Sequence, residues 1–173
     1  MATVSTSTPI VRARDEGERR WFYGGGVHTW KATSEETGGA FLLFEDEMEQ
    51  GKTTPLHIHP ESDETMYLLE GEILIHLDGS ENRVSAGGLM VAPRGVPHAF
   101  MVLSKTARLL CLHTPGCAQA FYLDASEPMG NAPGEARTVD FSRIAASGKK
   151  NGGIEILRTT PVRSRLKPDT VAG

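Results

Sequence analysis

The chain has 173 residues, which suits a single domain that buries a core of its own. Its formal net charge of −4 and pI near 5.9 give no basic surface for nucleic acid, and no apolar run approaches the length that crosses a bilayer. The polar N-terminus lacks the apolar stretch of a secretory signal, so we expect a cytoplasmic protein whose cysteines, Cys111 and Cys117, stay reduced.

Short strands account for most of the sequence pattern. Residues 1–18 are polar and charged, and they predict a flexible arm. Short apolar or alternating segments follow, separated by glycine and proline, and they predict strands over residues 20–23, 27–33, 40–46, 54–59, 64–70, 72–77, 83–86, 89–92, 98–103 and 107–113. Many short strands at near-regular spacing indicate an all-β antiparallel sandwich or small barrel.

The C-terminal part has a different pattern. Residues 139–147 predict one helix that is capped by Asp140, ends before Gly148, and packs either on the outside of the barrel or over its mouth. Residues 154–157 predict one more short strand, and the chain from residue 163 onward is expected to fray.

One segment carries the strongest chemical signal. His57 and His59 are spaced i, i+2, so on an extended segment they point to the same side. Glu64 lies just beyond the next turn, and His98 can arrive from a later strand. Three imidazoles and a carboxylate are ligands for a divalent transition metal (Fe, Mn, Co, Ni, Cu or Zn), and an ion that accepts six ligands keeps positions for water, oxygen or substrate.

Two points about the carboxylate stay open at this stage. Glu64 either binds the metal directly or orients a bound water, and Asp63 is an alternative ligand. If Glu64 does bind, it is also the natural general base, because a metal makes a bound hydroxyl group more acidic.

Strand alternation predicts the surroundings of this group. Met66 and Leu68 share the side of Glu64, while Phe100 and Val102 share the side of His98. These four apolar side chains therefore predict a substrate-binding lining for a small, rather hydrophobic organic molecule.

Two further histidines receive simpler interpretations. Alternation places His76 on the polar side of its strand, as a solvated residue. His113 ends a strand, and we interpret it as a strand-end residue in preference to a partner of a metal ligand.

The glycines and prolines around these histidines complete a known pattern, and the sequence resembles the cupins. Two spaced motifs carry the likeness, the first in Gly51, His57, His59, Glu64 and Gly71, the second in Gly87, Pro93, Gly95 and His98, with Val102 where the family has Asn. The resemblance implies a double-stranded β-helix, the cupin jelly-roll barrel, over residues 19–125, followed by a C-terminal extension over 126–173 with one helix. It also implies a metal near the barrel axis and a homodimer.

A looser likeness, carried by His113 to Gly116 and by Phe121 and Tyr122, points to single-domain cupins grouped with quercetin 2,3-dioxygenase. It implies a metal-dependent dioxygenase that uses O2 to cleave a flavonol or a similar enolic or phenolic molecule, with Glu64 taking the substrate proton. A metal-dependent isomerase or decarboxylase, and a non-enzymatic cupin that binds a metal or small ligand, are the alternatives.

Overall fold

The computed structural model describes residues 9–130 and 137–158, and within them most of the regular structure is strand. The helices are α1 (Gln119–Asp124) and α2 (Phe141–Asn151), and a 3₁₀ turn (Gly116–Ala118) precedes α1. The strands are β1 (Arg19–Phe22), β2 (Val27–Ala32), β3 (Leu42–Glu49), β4 (Leu56–Ile58), β5 (Asp63–Glu70), β6 (Glu72–Leu77), β7 (Ser80–Ser85), β8 (Leu89–Ala92), β9 (His98–Val102), β10 (Thr106–Thr114), β11 (Ser126–Pro128) and β12 (Glu155–Arg158).

The strands form two antiparallel sheets that enclose one core. The larger sheet has the order β11-β1-β2-β3-β10-β5-β8, and the smaller has the order β12-β4-β9-β6-β7. Alternate residues of each strand point inward, as Leu42 and Phe44 do on β3 and as Ile73 and Ile75 do on β6. The prediction of an all-β, double-stranded β-helix with a short C-terminal helix is confirmed.

The C-terminal extension belongs to both sheets. β11 pairs with β1 in the larger sheet, and β12 pairs with β4 in the smaller one. The strand expected over residues 154–157 is therefore present, shifted by one residue. Residues 163–173, expected to fray, lie outside the described residues. Within residues 9–130 and 137–158, no helix has the length and apolarity needed to cross a membrane.

Helix α2 begins as expected and ends later than expected. The Asp140 carboxylate accepts from the backbone N–H groups of Ser142 and Arg143, which confirms the cap. The helix continues through Gly148, where a Cβ would lie 2.8 Å from Ile154 Cγ2, so this glycine serves a close contact within the helix. Gly152, with φ of 67°, ends the helix instead.

The N-terminal arm is anchored over its second half. Residues 1–8 lie outside the described residues. From residue 9 onward the arm follows β2, and the Arg12 guanidinium donates to the Glu36 carboxylate (Nη1 to Oε2, 3.1 Å) and to the carbonyl oxygen of Lys31. The hydrogen bond from Arg12 lowers the pKa of Glu36 to about 2.

The hairpin between β6 and β7 is tighter than the sequence indicated. Asp78 and Gly79 have φ values of 46° and 80°, as a two-residue turn requires, and Ser80 pairs directly with Leu77. The strand therefore starts at Ser80 and not at residue 83. Its first residues are polar because β7 is an edge strand, so alternation of apolar residues could not reveal it.

Gly71 lies in the turn between β5 and β6, and Gly79 lies in the turn between β6 and β7. The two turns differ in how closely the rest of the chain packs against the glycine. Their φ values are similar, 87° and 80°, but a Cβ at Gly71 would lie 2.4 Å from Thr106 O, whereas one at Gly79 meets nothing within 4 Å. We expect Gly79→Ala to lower the free energy of unfolding by about 1–2 kcal/mol through backbone strain alone. Gly71→Ala should lower it by about 1–3 kcal/mol more because the methyl group forces neighbouring backbone apart. Urea denaturation measures both, and equal losses would contradict the close approach.

Candidate metal centre

The sheet register brings the four predicted ligands to one point between the sheets. His57 on β4 pairs directly with His98 on β9 in the smaller sheet, and His59 follows β4. Glu64 lies on β5 of the larger sheet, beside His113 on β10. One ligand atom from each of His57, His59, Glu64 and His98 lies within 4.8 Å of the others, and all four residues are buried.

The three imidazoles are oriented by backbone carbonyl groups. The Nδ1 atoms of His57, His98 and His59 lie within hydrogen-bond distance of Pro55 O (2.8 Å), Val96 O (2.9 Å) and Gly153 O, respectively. A carbonyl oxygen only accepts, so each Nδ1 carries the hydrogen and each Nε2 is left to face the centre. This is the orientation of metal-binding histidines, whose other ring nitrogen is usually held by an acceptor.

The Nε2 atoms have too few partners without a cation. His59 Nε2 is buried and has no hydrogen-bond partner in the described part of the chain. His98 Nε2 lies 2.7 Å from Glu64 Oε2, and His59 Nε2 lies 3.6 Å from the same oxygen. Buried polar atoms are normally paired, so a divalent ion bound by these donors fits the site.

Electrostatics keeps this group ready to bind a cation. Burial raises the pKa of Glu64, but the facing histidines, His59 first, outweigh burial and hold that pKa well below its usual value. Burial, followed by the charges of His98 and His59, lowers the pKa of His57 well below the ordinary value. Burial also lowers the pKa of His98, but the hydrogen bond to Glu64, the charge of Glu64 and the hydrogen bond to Val96 together outweigh burial, and the net shift is upward. Glu64 is therefore ionised and His57 is neutral at neutral pH.

A second group of potential ligands overlaps the first at Glu64. Cys111 Sγ lies 3.2 Å from Glu64 Oε1, and His113 Nε2 lies 3.4 Å from the same oxygen. Burial, reinforced by the charge of Glu64, raises the pKa of Cys111 well above its usual value. The thiol therefore stays protonated and donates to Glu64, which favours a supporting role over ligation. Both Cys111 and Cys117 are free.

His113 is a partner of Glu64, and its interpretation as a simple strand-end residue is wrong. It is fully buried, its Nε2 lies 2.9 Å from the Tyr122 hydroxyl, and its Nδ1 lies 3.2 Å from Ser62 Oγ. A signal was available, because Cys111 and His113 continue the inward-facing alternation of β10 from Leu109. Nothing in the sequence indicated that α1 would bring Tyr122 to the same place.

Other predicted residues lie away from the centre. The carboxylate of Asp63 pairs with Arg94, 3.1 Å from its Nε atom, at the surface, so it does not join the four ligands. The Nδ1 atom of His76 lies 3.4 Å from Glu81 Oε1, and its side chain is only 12% exposed. His76 is therefore paired on β6 and is not a solvated residue.

The four ligands adjoin a small apolar cavity of about 50 Å³, whose wall includes His57 and Glu64. Of the predicted lining residues, Met66 and Phe100 are in that wall, whereas Leu68 and Val102 are buried in the core away from it. Only Met66 and Phe100 of these four are therefore placed to contact a molecule in the cavity.

The C-terminal extension closes part of the cavity. Phe141 and Ile144 of α2, together with Ile154, lie in the cavity wall. Of the two placements open from the sequence, the helix therefore covers the mouth of the barrel. Gly153 O, which holds His59, belongs to the same segment.

Comparison with known proteins agrees with this architecture. Residues 44–113 match the family model described as the cupin domain, and this part of the chain is a cupin domain. Over 140 residues, 80% of the chain, the sequence is 26% identical to quercetin 2,3-dioxygenase of Bacillus subtilis. The match covers 41% of that protein, so the chain spans about two fifths of the length of this curated relative.

Solved structures show the same fold at lower identity. KdgF from Halomonas sp. is 20% identical, with a TM-score of 0.55 over 64% of this chain and 94% of that one. A predicted oxalate decarboxylase from Thermotoga maritima is 21% identical, with a TM-score of 0.55 over 62% of this chain and 99% of that one. These similarities establish the double-stranded β-helix fold, and any conclusion about chemistry depends on the residues of the site.

The two overlapping groups of ligands make different predictions for metal content. We expect the wild-type protein to retain about one divalent ion per chain, and His57→Ala to lose it because one imidazole of the four-ligand set is gone. Cys111→Ala should keep the ion, since the thiol donates to Glu64 and does not bind metal. Elemental analysis after gel filtration measures the content, with His76→Ala as the matched histidine control. Loss of metal in Cys111→Ala but not in His57→Ala would contradict this assignment.

Proposed function

We propose that the protein is a metal-dependent dioxygenase that acts on a flavonol or a similar enolic or phenolic small molecule. The observation that carries the proposal is the position of the four buried ligands, two of which lie in the wall of an apolar cavity. The similarity to quercetin 2,3-dioxygenase supports the same reaction class.

His57, His59, His98 and Glu64 are the residues we propose as ligands of one divalent transition metal. Bound there, the metal supplies a Lewis acid that makes a coordinated substrate hydroxyl more acidic, and a place where oxygen meets the substrate. The mixed nitrogen and oxygen donors suit Fe, Mn, Co, Ni, Cu and Zn alike.

Glu64 is suited to accept the proton of the substrate hydroxyl group. Its low pKa keeps it ionised at neutral pH, and it lies in the cavity wall. The Cys111 thiol donates to its Oε1 atom (Sγ to Oε1, 3.2 Å) and holds it in place, and His113 Nε2 lies 3.4 Å from the same oxygen. A base that is fixed and ionised before the substrate arrives needs little reorganisation during proton transfer.

Apolar side chains keep bulk water away from the reacting centre. Phe44, Met66, Phe100, Leu109 and Phe121 lie in the cavity wall, and all of them are at most 5% exposed. Exclusion of water strengthens the electrostatic interactions of Glu64 and prevents side reactions of reactive oxygen intermediates.

Oxygen uptake with quercetin tests the proposal. Protein loaded in parallel with Fe, Mn, Co, Ni, Cu or Zn should consume oxygen with at least one of these metals. Glu64→Gln removes the base while keeping the shape of the side chain, so kcat should fall by about 10²–10⁴-fold. An oxygen electrode measures the rate, and Glu61→Gln, a change at an exposed carboxylate nearby, should leave it unchanged.

Other outcomes of the same experiment lead to the alternatives. Turnover that continues without oxygen would favour an isomerase or decarboxylase, in which the metal acts only as a Lewis acid. Tight binding of small ligands without any turnover would favour a non-enzymatic metal- or ligand-binding cupin. Full activity in Glu64→Gln would contradict the role of this carboxylate.

Assembly and location remain predictions. A homodimer is expected, and the exposed apolar side chains of Tyr67 on β5 and of Leu89 and Val91 on the edge strand β8 offer a surface for it. Sedimentation velocity of the purified chain decides this point. A cytoplasmic location is supported by the two free cysteines, and cell fractionation tests it.

A further inference from the structure

The cavity wall contains a second polar group, formed by His28, Asp46 and Lys52, that the metal ligands do not use. The Lys52 ammonium group donates to Asp46 Oδ2, and His28 Nε2 lies 3.6 Å from the same oxygen. The side chains of Lys52 and Asp46 are only 5% and 6% exposed, and His28 is 1% exposed. Charged side chains are rarely buried this deeply unless they are paired or functional.

The strand register places His28 and Asp46 on the inner face of the larger sheet. Asp46 occupies the inward position of β3 between Phe44 and Met48, where alternation calls for an apolar residue. His28 on β2 lies directly opposite Asp46 in the strand register. A carboxylate at an inward position of a strand is an unusual feature that a sequence analysis can detect.

Several polar atoms of this group lack a partner. Within residues 9–130 and 137–158, Asp46 Oδ1 and His28 Nδ1 are buried and have no hydrogen-bond partner. Lys52 Nζ has three N–H donors, and Asp46 is the side-chain acceptor it contacts. Gly26 packs closely against one side of this group, since a Cβ there would lie 2.5 Å from Asp46 Oδ1 and 2.9 Å from Lys52 Nζ.

Aromatic rings surround these atoms. Lys52 Nζ lies 5.7 Å from the ring centroid of Phe22 and 5.6 Å from that of Phe100, within cation–π range. His28 stacks between Phe22 and Phe44, with centroid distances of 4.6 Å and 4.3 Å. Both phenylalanines that face Lys52 also line the cavity, so this end of the cavity presents aromatic faces to a ligand.

The charges of the group favour a neutral hydroxyl ligand over an anion. Burial raises the pKa of Asp46, but Lys52 and then His28 outweigh burial and keep that pKa below its usual value, so the carboxylate is ionised. Burial lowers the pKa of His28, which leaves the ring neutral. An anion would be attracted by Lys52 but repelled by Asp46. A hydroxyl group accepts from Lys52 and donates to Asp46 Oδ1, and it satisfies both.

We propose that Lys52 and Asp46 bind a hydroxyl group on an aromatic ring of the substrate, away from the oxygen atom that enters the metal centre. The inference deepens the proposed function, on which it rests for the position of the other end of the molecule. It assigns the substrate class as aromatic compounds with at least two oxygen substituents, one at each end. Lys52 and Asp46 are then specificity-determining residues.

A matched pair of ligands tests this inference through binding alone, without turnover. Quercetin carries hydroxyl groups on its outer rings, whereas 3-hydroxyflavone lacks them and keeps the 3-hydroxyl group. Because hydrogen bonds to charged groups are among the stronger ones, metal-loaded wild-type protein should bind quercetin about tenfold or more tightly than 3-hydroxyflavone. Tryptophan fluorescence titration without oxygen measures both dissociation constants.

Variants then locate the source of the preference. Lys52→Met together with Asp46→Leu removes both charges at once, so neither is left buried and unpaired. In this double variant we expect quercetin and 3-hydroxyflavone to bind about equally well, with the affinity for 3-hydroxyflavone the same as in the wild-type protein. A purely structural role of the two residues does not produce this outcome. Lys105→Met, a change at an exposed lysine, should keep the full preference, and thermal unfolding verifies that each variant is folded.

The outcomes separate this inference from the proposed function. Loss of the preference in the double variant supports the inference, even if no oxygen uptake is found and the dioxygenase proposal fails. Equal binding of the two ligands by the wild-type protein overturns the inference and needs no variant. A preference that persists in the double variant overturns it as well. No binding of either flavonol to the wild-type protein overturns the inference and counts against the proposed function.

Discussion

Burial of three imidazoles and one carboxylate at a single point between the two sheets is the constraint on which the site depends. Unpaired polar groups are costly inside a protein, so each of these side chains has to be oriented and compensated. Backbone carbonyl groups take up the Nδ1 hydrogens of His57, His59 and His98, and Glu64 faces their Nε2 atoms. Several lone pairs and a negative charge are left facing one another, and a divalent cation bound there would compensate them.

The rest of the fold supplies this arrangement from distant parts of the chain. The pairing of β4 with β9 aligns two histidines, and β5 brings Glu64 across from the opposite sheet. The C-terminal extension contributes the carbonyl group of Gly153 and part of the cavity wall through α2. His57 and Glu64, two of the four proposed ligands, lie in the wall of the same cavity as the Lys52 and Asp46 pair.

Local patterns in the sequence predicted the strands and the four candidate ligands, because alternation and an i, i+2 pair of histidines report directly on side-chain direction. They did not predict contacts between residues distant in sequence. His113 was misinterpreted because its partners, Glu64 and Tyr122, meet it only through sheet register and through α1. β7 was placed late because a polar edge strand has no apolar alternation. Leu68 and Val102 share a side with the proposed ligands, but alternation does not indicate how far along the barrel axis a side chain lies from the cavity.

The measurement that tests the metal centre most directly is X-ray absorption at the metal edge of the loaded wild-type protein. We expect nitrogen and oxygen neighbours at about 2.0–2.2 Å, with the outer-shell signal of several imidazole rings and no sulfur. A sulfur neighbour at about 2.3 Å would contradict it, because Cys111 would then be a ligand and not a donor to Glu64.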